Sequence, residues 1–211
     1  MTNESEIKNE ILLPVMESFY TLQGEGFHQG KAAYFIRLGG CDVGCVWCDV
    51  KESWNAANHP KYSVEEIVEK AIQDSKFTQS LVVITGGEPL LHNLNNLTKA
   101  LQQVGFQTNI ETSGSSSLSG NWDWICLSPK KFKAPLPEVV KAANELKVVV
   151  FNKHDFEWAE QYALQVSENC KLYLQPEWDK RETVTPLIIN YIKANPKWEL
   201  SLQIHKYINV P

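Results

Sequence analysis

Gly40-Cys41-Asp42-Val43-Gly44-Cys45-Val46-Trp47-Cys48-Asp49 places three thiols within eight residues, directly after the strand-like stretch Ala33–Leu38 (AYFIRL). The spacing is Cys-x3-Cys-x2-Cys. Thiolates are soft ligands that suit iron–sulfur clusters, zinc or copper(I). A cubane held by four cysteines is coordinatively closed, whereas three cysteines in one loop leave one iron free to bind something else. Gly40 and Gly44 let the backbone fold tightly and turn amides toward cluster sulfides. Zinc is the competing ligand set, with Cys126, Cys170 or a histidine as fourth donor. Neither of those cysteines has a partner at a paired spacing. Both lie in apolar or strand-like surroundings, where a free cysteine commonly serves as a small buried hydrophobe.

On either side of this loop, strand-like and helix-like patterns alternate. Ser63 caps a helix with Glu66 as its capping-box partner, and Val64, Ile67, Val68, Ala71 and Ile72 share one helical face. Leu81–Thr85 (LVVIT) is a short, continuously apolar strand that ends in Gly86-Gly87-Glu88-Pro89. Helices are expected near 95–104, 137–144, 155–166 and 185–194, the last with Thr185 as cap and Pro186 in its first turn. Strands are expected near 107–110, 124–127, 146–150, 171–174 and 200–204. About six strand–helix repeats predict an α/β fold with a parallel sheet and right-handed crossovers. A full eight-unit barrel takes about 250 residues. The 211 residues here suit an incomplete (β/α)6-type barrel. In such sheets chemistry collects at the carboxyl ends of the strands, where Gly39–Cys48, Thr85–Pro89, Glu111–Gly114, Ser128–Lys130 and Gln175–Pro176 all fall.

With 43% hydrophobic and 21% charged residues and a net charge of −5, the composition is that of an ordinary globular chain. Charge is spread rather than clustered, which argues against nucleic-acid or membrane-surface binding and for a small substrate. No apolar run approaches the roughly 20 residues needed to span a bilayer. Residues 1–10 are polar and acidic, unlike a signal peptide, so a reducing cytoplasm is the expected location and crowded cysteines point to metal or redox chemistry. The chain is expected to be a single domain over 1–211, with 1–16 a flexible or peripheral segment.

The cysteine spacing resembles that of the radical S-adenosylmethionine superfamily. The resemblance implies a [4Fe–4S] cluster on Cys41, Cys45 and Cys48 whose free iron chelates S-adenosylmethionine. An electron would then cleave the sulfonium to methionine and a 5′-deoxyadenosyl radical. Trp47 matches the superfamily's aromatic position near adenine. Thr85-Gly86-Gly87-Glu88-Pro89 matches its GGE-type motif, which holds the aminomethyl end of the cofactor. By the same resemblance, Cys48, Asp49, Gly87, Glu88, Glu111, Ser128, Pro129, Lys130, Gln175 and Pro176 become cofactor-binding candidates.

A closer resemblance rests on Tyr20-Thr21-Leu22-Gln23-Gly24-Glu25-Gly26, Phe35-Ile36-Arg37-Leu38-Gly39-Gly40-Cys41, Ile110-Glu111-Thr112-Ser113-Gly114, Leu127-Ser128-Pro129-Lys130 and Gln203-Ile204-His205-Lys206-Tyr207-Ile208. From about Glu17 to Pro211 the chain is similar to the 7-carboxy-7-deazaguanine synthase family. Such enzymes convert 6-carboxy-5,6,7,8-tetrahydropterin to 7-carboxy-7-deazaguanine and ammonia for queuosine and related deazapurines. The resemblance implies substrate contacts from Leu22, Gln23, Gly24, Glu25, Arg37, Thr85, His205 and the Pro211 carboxylate. It also implies an external electron donor such as a flavodoxin, and a homodimer. Arg37 is one of two arginines, and its fork suits a carboxylate. Strand alternation puts it on the same side as Ala33 and Phe35. The family's Mg2+ site usually has Thr or Ser after the Cys-Asp pair. Here Val50 follows Asp49 and its side chain cannot ligate a hard cation, so either Asp49, a backbone carbonyl and waters hold the ion or magnesium dependence is weakened.

Three rivals are a glycyl-radical activase, a non-catalytic zinc-binding module and a passive electron carrier. The activase gives no reason for TLQGEG, Arg37 or the terminal HKY, metal and sulfide analysis separates the zinc module, and cleavage of S-adenosylmethionine on reduction separates the electron carrier. Replacing Cys41, Cys45 or Cys48 by Ala is expected to abolish both cluster content and turnover. Cys126→Ala and Cys170→Ala should alter thermal stability only, as iron and sulfide analysis beside melting curves will show.

Overall fold

The computed structural model describes residues 12–76 and 80–211. Its elements are β1 (Leu13–Leu22), β2 (Ala32–Leu38), β3 (Lys61–Tyr62), α1 (Val64–Ser75), β4 (Leu81–Gly86), α2 (Asn95–Gln103), β5 (Gln107–Thr112), β6 (Trp124–Leu127), α3 (Pro137–Ala142), β7 (Glu145–Val150), α4 (Asp155–Ala163), β8 (Lys171–Pro176), α5 (Arg181–Ala194), β9 (Trp198–Leu200) and α6 (Ile204–Ile208). One sheet runs β3-β1-β2-β4-β5-β6-β7-β8-β9. From β2 through β9 every neighbouring pair is parallel. On the other side of β2, β1 pairs antiparallel and carries β3. The expected α/β incomplete barrel is therefore present, extended by an antiparallel edge.

Alternation along each strand divides the apolar residues between two faces. Tyr34, Ile36, Leu38, Val82, Ile84 and Ile110 join Ile67 and Ala71 of α1 and Leu97 and Leu101 of α2 in the main core. Burying each large aliphatic side chain there stabilises the fold by about 1.5–3 kcal/mol. On the opposite, inner face only Ala33, Leu81 and Val83, with Phe35 against them, make a small apolar cluster. Most of that face is polar. At the start of α1 the capping box is complete: Ser63 Oγ accepts from Glu66 N at 3.2 Å and Ser63 N donates to Glu66 Oε2 at 2.8 Å.

Four expectations change. The peripheral segment does not reach residue 16, because Leu13 and Val15 are buried in β1; residues 1–11 lie outside the described part. The strand expected over 200–204 stops at Leu200. The chain beyond it instead turns into α6, where Ile204 N donates to Gly24 O at 3.0 Å. Thr185 does not cap α5, which begins at Arg181 and carries Pro186 within it. No side chain caps α5 itself; Glu177 caps the 3-10 turn ahead of it, accepting from Lys180 N. Finally, β1 as a whole had no strand assigned to it. Its alternation is weak, since both faces of its outer half are only partly buried.

Because β1 and β2 are antiparallel, the loop between them falls at the amino ends of the parallel strands, opposite the cysteine loop. It closes that end as a floor. Phe27 stacks on Trp124 with ring centroids 4.5 Å apart. Trp124 Nε1 and Phe27 N donate to Glu145 Oε2 at 2.9 and 3.3 Å, and Gly26 N donates to Ser201 Oγ at 3.0 Å. Gly26 has φ +62°, and a Cβ there would stand 1.9 Å from Glu145 Oε1. Gly26→Ala must therefore strain the backbone and displace a buried carboxyl. The variant is expected to lose about 2 kcal/mol or more of unfolding free energy in a denaturant titration.

Candidate active site

The cysteine loop is seated by backbone contact. Gly87 N donates to Leu38 O at 3.0 Å and Glu88 N to Gly40 O at 2.8 Å. A Cβ on Gly87 would lie 2.2 Å from Gly40 O and 2.7 Å from Cys41 Cβ, so only glycine lets the two loops meet. The GGE glycines are thus required first by the cysteine loop itself. Glu88 turns away from the cavity. Its buried carboxylate accepts from Leu90 N (3.1 Å), Thr112 Oγ1 (2.5 Å), Ser113 N (2.8 Å) and Ser113 Oγ (2.5 Å), bracing the end of β4 against the end of β5.

One cavity of about 300 Å³ is lined from β1 round to the chain end. It brings together all three cluster cysteines, Trp47, Asp49, Val50, Gly87, Glu111, Ser128, Lys130 and Gln175 from the expected cofactor set. It also gathers the whole expected substrate set: Leu22, Gln23, Gly24, Glu25, Arg37, Thr85, His205 and Pro211. Of the residues expected on the cofactor, Glu88, Pro129 and Pro176 do not line it. The first is a buried brace, and the two prolines shape the chain beside residues that do face inward.

At the deep side, Lys147 is 3% exposed. It bridges Glu25 Oε2 at 2.6 Å and Glu111 Oε2 at 2.7 Å. Gln203 Nε2 donates to Glu25 Oε1 at 2.8 Å and Gln23 Nε2 to Glu111 Oε1 at 3.1 Å. Burial alone would raise the Glu25 carboxyl, but the Lys147 charge and hydrogen bond, with Gln203, hold it down at about 2. Burial would likewise strip the proton from Lys147, and the acidic groups around it, Cys126, Glu111 and Glu25 first among them, keep its ammonium well above the usual range. Sequence reasoning missed Lys147 because a lysine inside the ELKVVV strand reads as an edge charge. It missed Gln203 as well. Period-2 alternation with Glu145 on β7 was the signal available.

Higher up, Arg37 donates through Nε to Glu17 at 2.7 Å, leaving its Nη atoms without a partner among the described residues. It stands beside Thr85 across the β2–β4 register. Next to it, Phe19 and Phe35 stack at 5.5 Å. Trp47 packs against Phe132 and Phe151. Lys130 Nζ donates to Ser128 O and Oγ at 2.7 and 2.6 Å. Asp49 is ion-paired with Lys206 of α6 at 2.9 Å, while the Val50 carbonyl accepts from Ser53. α6 lies so close to the floor loop that a Cβ on Gly24 would meet the His205 ring at 2.1 Å.

The donor set fits an iron–sulfur cubane. Cys41, Cys45 and Cys48 face one cavity, Trp54 Nε1 donates to Cys48 Sγ at 3.4 Å, and the backbone amides of Val43 and Gly44 reach the Cys41 sulfur. Among the described residues no three His, Cys, Asp or Glu side chains converge tightly enough for a single metal ion. A cubane needs its thiolates spread over separate corners, whereas a zinc ion needs them around one point.

A parallel incomplete barrel with a three-cysteine loop at the carboxyl end of its first parallel strand defines a class, and the Radical SAM superfamily model matches residues 35–150. The chain is 54% identical over 213 residues to "7-carboxy-7-deazaguanine synthase" of Flavobacterium psychrophilum, covering 100% of both chains. The proteins of that name from Synechocystis sp. and Escherichia coli K12 are 48% and 35% identical, covering 93% of this chain and 93% and 98% of their own. The crystal structure of QueE from Escherichia coli superposes with a TM-score of 0.81 at 33% identity, over 90% of this chain and 93% of that one. The chain belongs to the 7-carboxy-7-deazaguanine synthase family of radical SAM enzymes.

Glu25 sits at about 2 in the fold, below its value in the unfolded chain, so its stabilising charge is fully present above about pH 5 and is lost as the pH falls toward 2. Glu25→Gln is expected to flatten the decline in stability across that window. Urea midpoints measured from pH 6 down to pH 2.5 will show a shallower slope than in the parent.

Proposed function

We propose that the cavity carries out the conversion of 6-carboxy-5,6,7,8-tetrahydropterin to 7-carboxy-7-deazaguanine with release of ammonia, as a carbon–nitrogen lyase step in queuosine-type deazapurine biosynthesis. The observation that carries this reading is a single cavity joining a three-thiol loop to an anion-binding fork and a deep pair of carboxylates. When bound, the reduced [4Fe–4S] cluster and S-adenosylmethionine supply the adenosyl radical that removes a hydrogen atom from the substrate.

The chain's own residues divide the remaining work. Cys41, Cys45 and Cys48 would hold the cluster, supplying three thiolates and no fourth. Gly87, Ser128 and Gln175 offer polar groups to S-adenosylmethionine at the rim, Lys130 offers a cation, and Trp47 an apolar face for adenine. Arg37 presents its Nη pair to the substrate carboxylate. Glu25 and Glu111, the latter expected from the sequence on the cofactor side, accept from the N–H-rich pyrimidine edge, with Gln23 and Thr85 alongside. His205 and the Pro211 carboxylate close the mouth over the heterocycle. Asp49, now ion-paired with Lys206, and a backbone carbonyl would hold Mg2+ where it binds, and the Val50 side chain would add no ligand.

The reading includes three further elements. The first is an external one-electron donor such as a flavodoxin, approaching past Val46, which is exposed on the cysteine loop. The second is a homodimer, and the third a cytoplasmic setting. No described helix is long and apolar enough to cross a membrane. Neither the activase nor the zinc-module alternative finds support in the relatives.

Anaerobic incubation with reductant, S-adenosylmethionine, Mg2+ and the carboxypterin is expected to yield the deazapurine by mass detection. Arg37→Gln should raise KM for the pterin by about 10- to 100-fold, the loss of a charge-assisted carboxylate contact. Absence of product from the loaded enzyme would overturn the assignment, and an unchanged KM would remove Arg37 from it.

A further inference from the structure

Lys147 has no part in the sequence motifs, yet it is the most enclosed charge in the cavity. It stands on the inner face of β7, with its ammonium between a carboxylate from the floor loop and one from β5 at 2.6 and 2.7 Å. All four carboxylate oxygens already accept one hydrogen bond, from Lys147 twice, Gln203 and Gln23. An ionised carboxylate has about four acceptor sites, so each keeps capacity for a ligand and none can donate.

We infer that Lys147 is a positioning residue for the substrate: held between Glu25 and Glu111, it keeps two acceptor-only groups side by side, so that the cavity selects a heterocycle presenting a row of N–H donors. The inference rests on the pterin reading of the cavity and adds to it the group that sets the recognition. Two carboxylates facing one small space repel, and without a cation between them one takes up a proton. That carboxyl then becomes a donor and opposes the N–H edge it should receive. The other charged and titratable groups facing this point are Glu145 on β7, Cys126 on β6, His205 on α6 and Lys130 beyond β6. No cation among them makes a salt bridge to Glu25 or Glu111.

The test is calorimetric titration of the carboxypterin into anaerobically reconstituted enzyme with S-adenosylmethionine bound, at pH 6 and pH 8. Lys147→Met and Lys147→Gln serve as alternatives, the amide keeping a hydrogen bond where the thioether does not fold. The ratio of variant to parent Kd is expected to be about tenfold or more at pH 6 and to shrink several-fold by pH 8, as the shared proton is lost. In the K147M/E111Q double variant, with one carboxylate remaining, binding stays weak and the ratio no longer changes with pH. Single variants that bind as the parent does at both pH values overturn the inference. So does weak binding that shows the same ratio at pH 6 and pH 8, which marks a merely structural loss. Failure of the parent itself to bind the pterin overturns the reading of the cavity, a result distinct from either.

Discussion

A lysine ammonium almost without access to water stands between two carboxylates on the inner face of a parallel sheet, and much of the cavity is arranged around that fact. An uncompensated charge in such a place costs several kcal/mol, so each group in the set needs a partner with good geometry. The partners come from far apart in the chain: Gln23 and Glu25 from the β1–β2 loop, Glu111 from β5, Lys147 from β7, and Gln203 from the terminal segment. Satisfying the lysine therefore draws the floor loop up into the sheet and the chain end down onto it. The same contacts that stabilise the closed cavity also decide what it accepts.

The two ends of the cavity obey different physics. At the rim the governing constraint is backbone proximity: Gly87 lies against Gly40, and Glu88 spends its carboxylate on Leu90, Thr112 and Ser113. This anchors a loop whose three thiols would otherwise be free to wander. At the floor the constraint is electrostatic, and a depressed Glu25 carboxyl and an elevated Lys147 ammonium are two views of one coupled set. Radical chemistry needs both. The reactive group must be fixed at one end and the substrate edge held at the other, with the apolar Phe19–Phe35 pair between.

Motifs whose signal is local were legible before any coordinates. The cysteine spacing, the Ser63–Glu66 capping box, the LVVIT strand and the side on which Arg37 lies all follow from periodicity or from ligand chemistry. Residues whose role is set by what stands opposite them were not. Glu88 sits in a motif suggesting cofactor contact, but its hydrogen bonds go to β5. Lys147 carries no motif at all, and Gln203 opens the terminal HKY segment without being marked in it as a site residue. Residues 200–204 read as a strand, but the chain leaves the sheet after Leu200 and turns into a short helix in contact with Gly24.

By itself the sequence narrowed the chemistry to a thiolate-bound metal site, because three thiols crowded into one loop suit soft metals, and the resemblance carried by its motifs narrowed it further to a radical enzyme. It also determined the α/β repeat, because burial on both faces writes continuous apolar strands. Only the tertiary structure decided which charges neutralise one another inside the barrel and where the C-terminal segment closes it. Those pairings join residues up to 178 positions apart, as Gln203 and Glu25 are, and depend on distances of a few ångströms. No local pattern encodes such a distance. It arises only when seven parallel strands curl and bring their inner faces together.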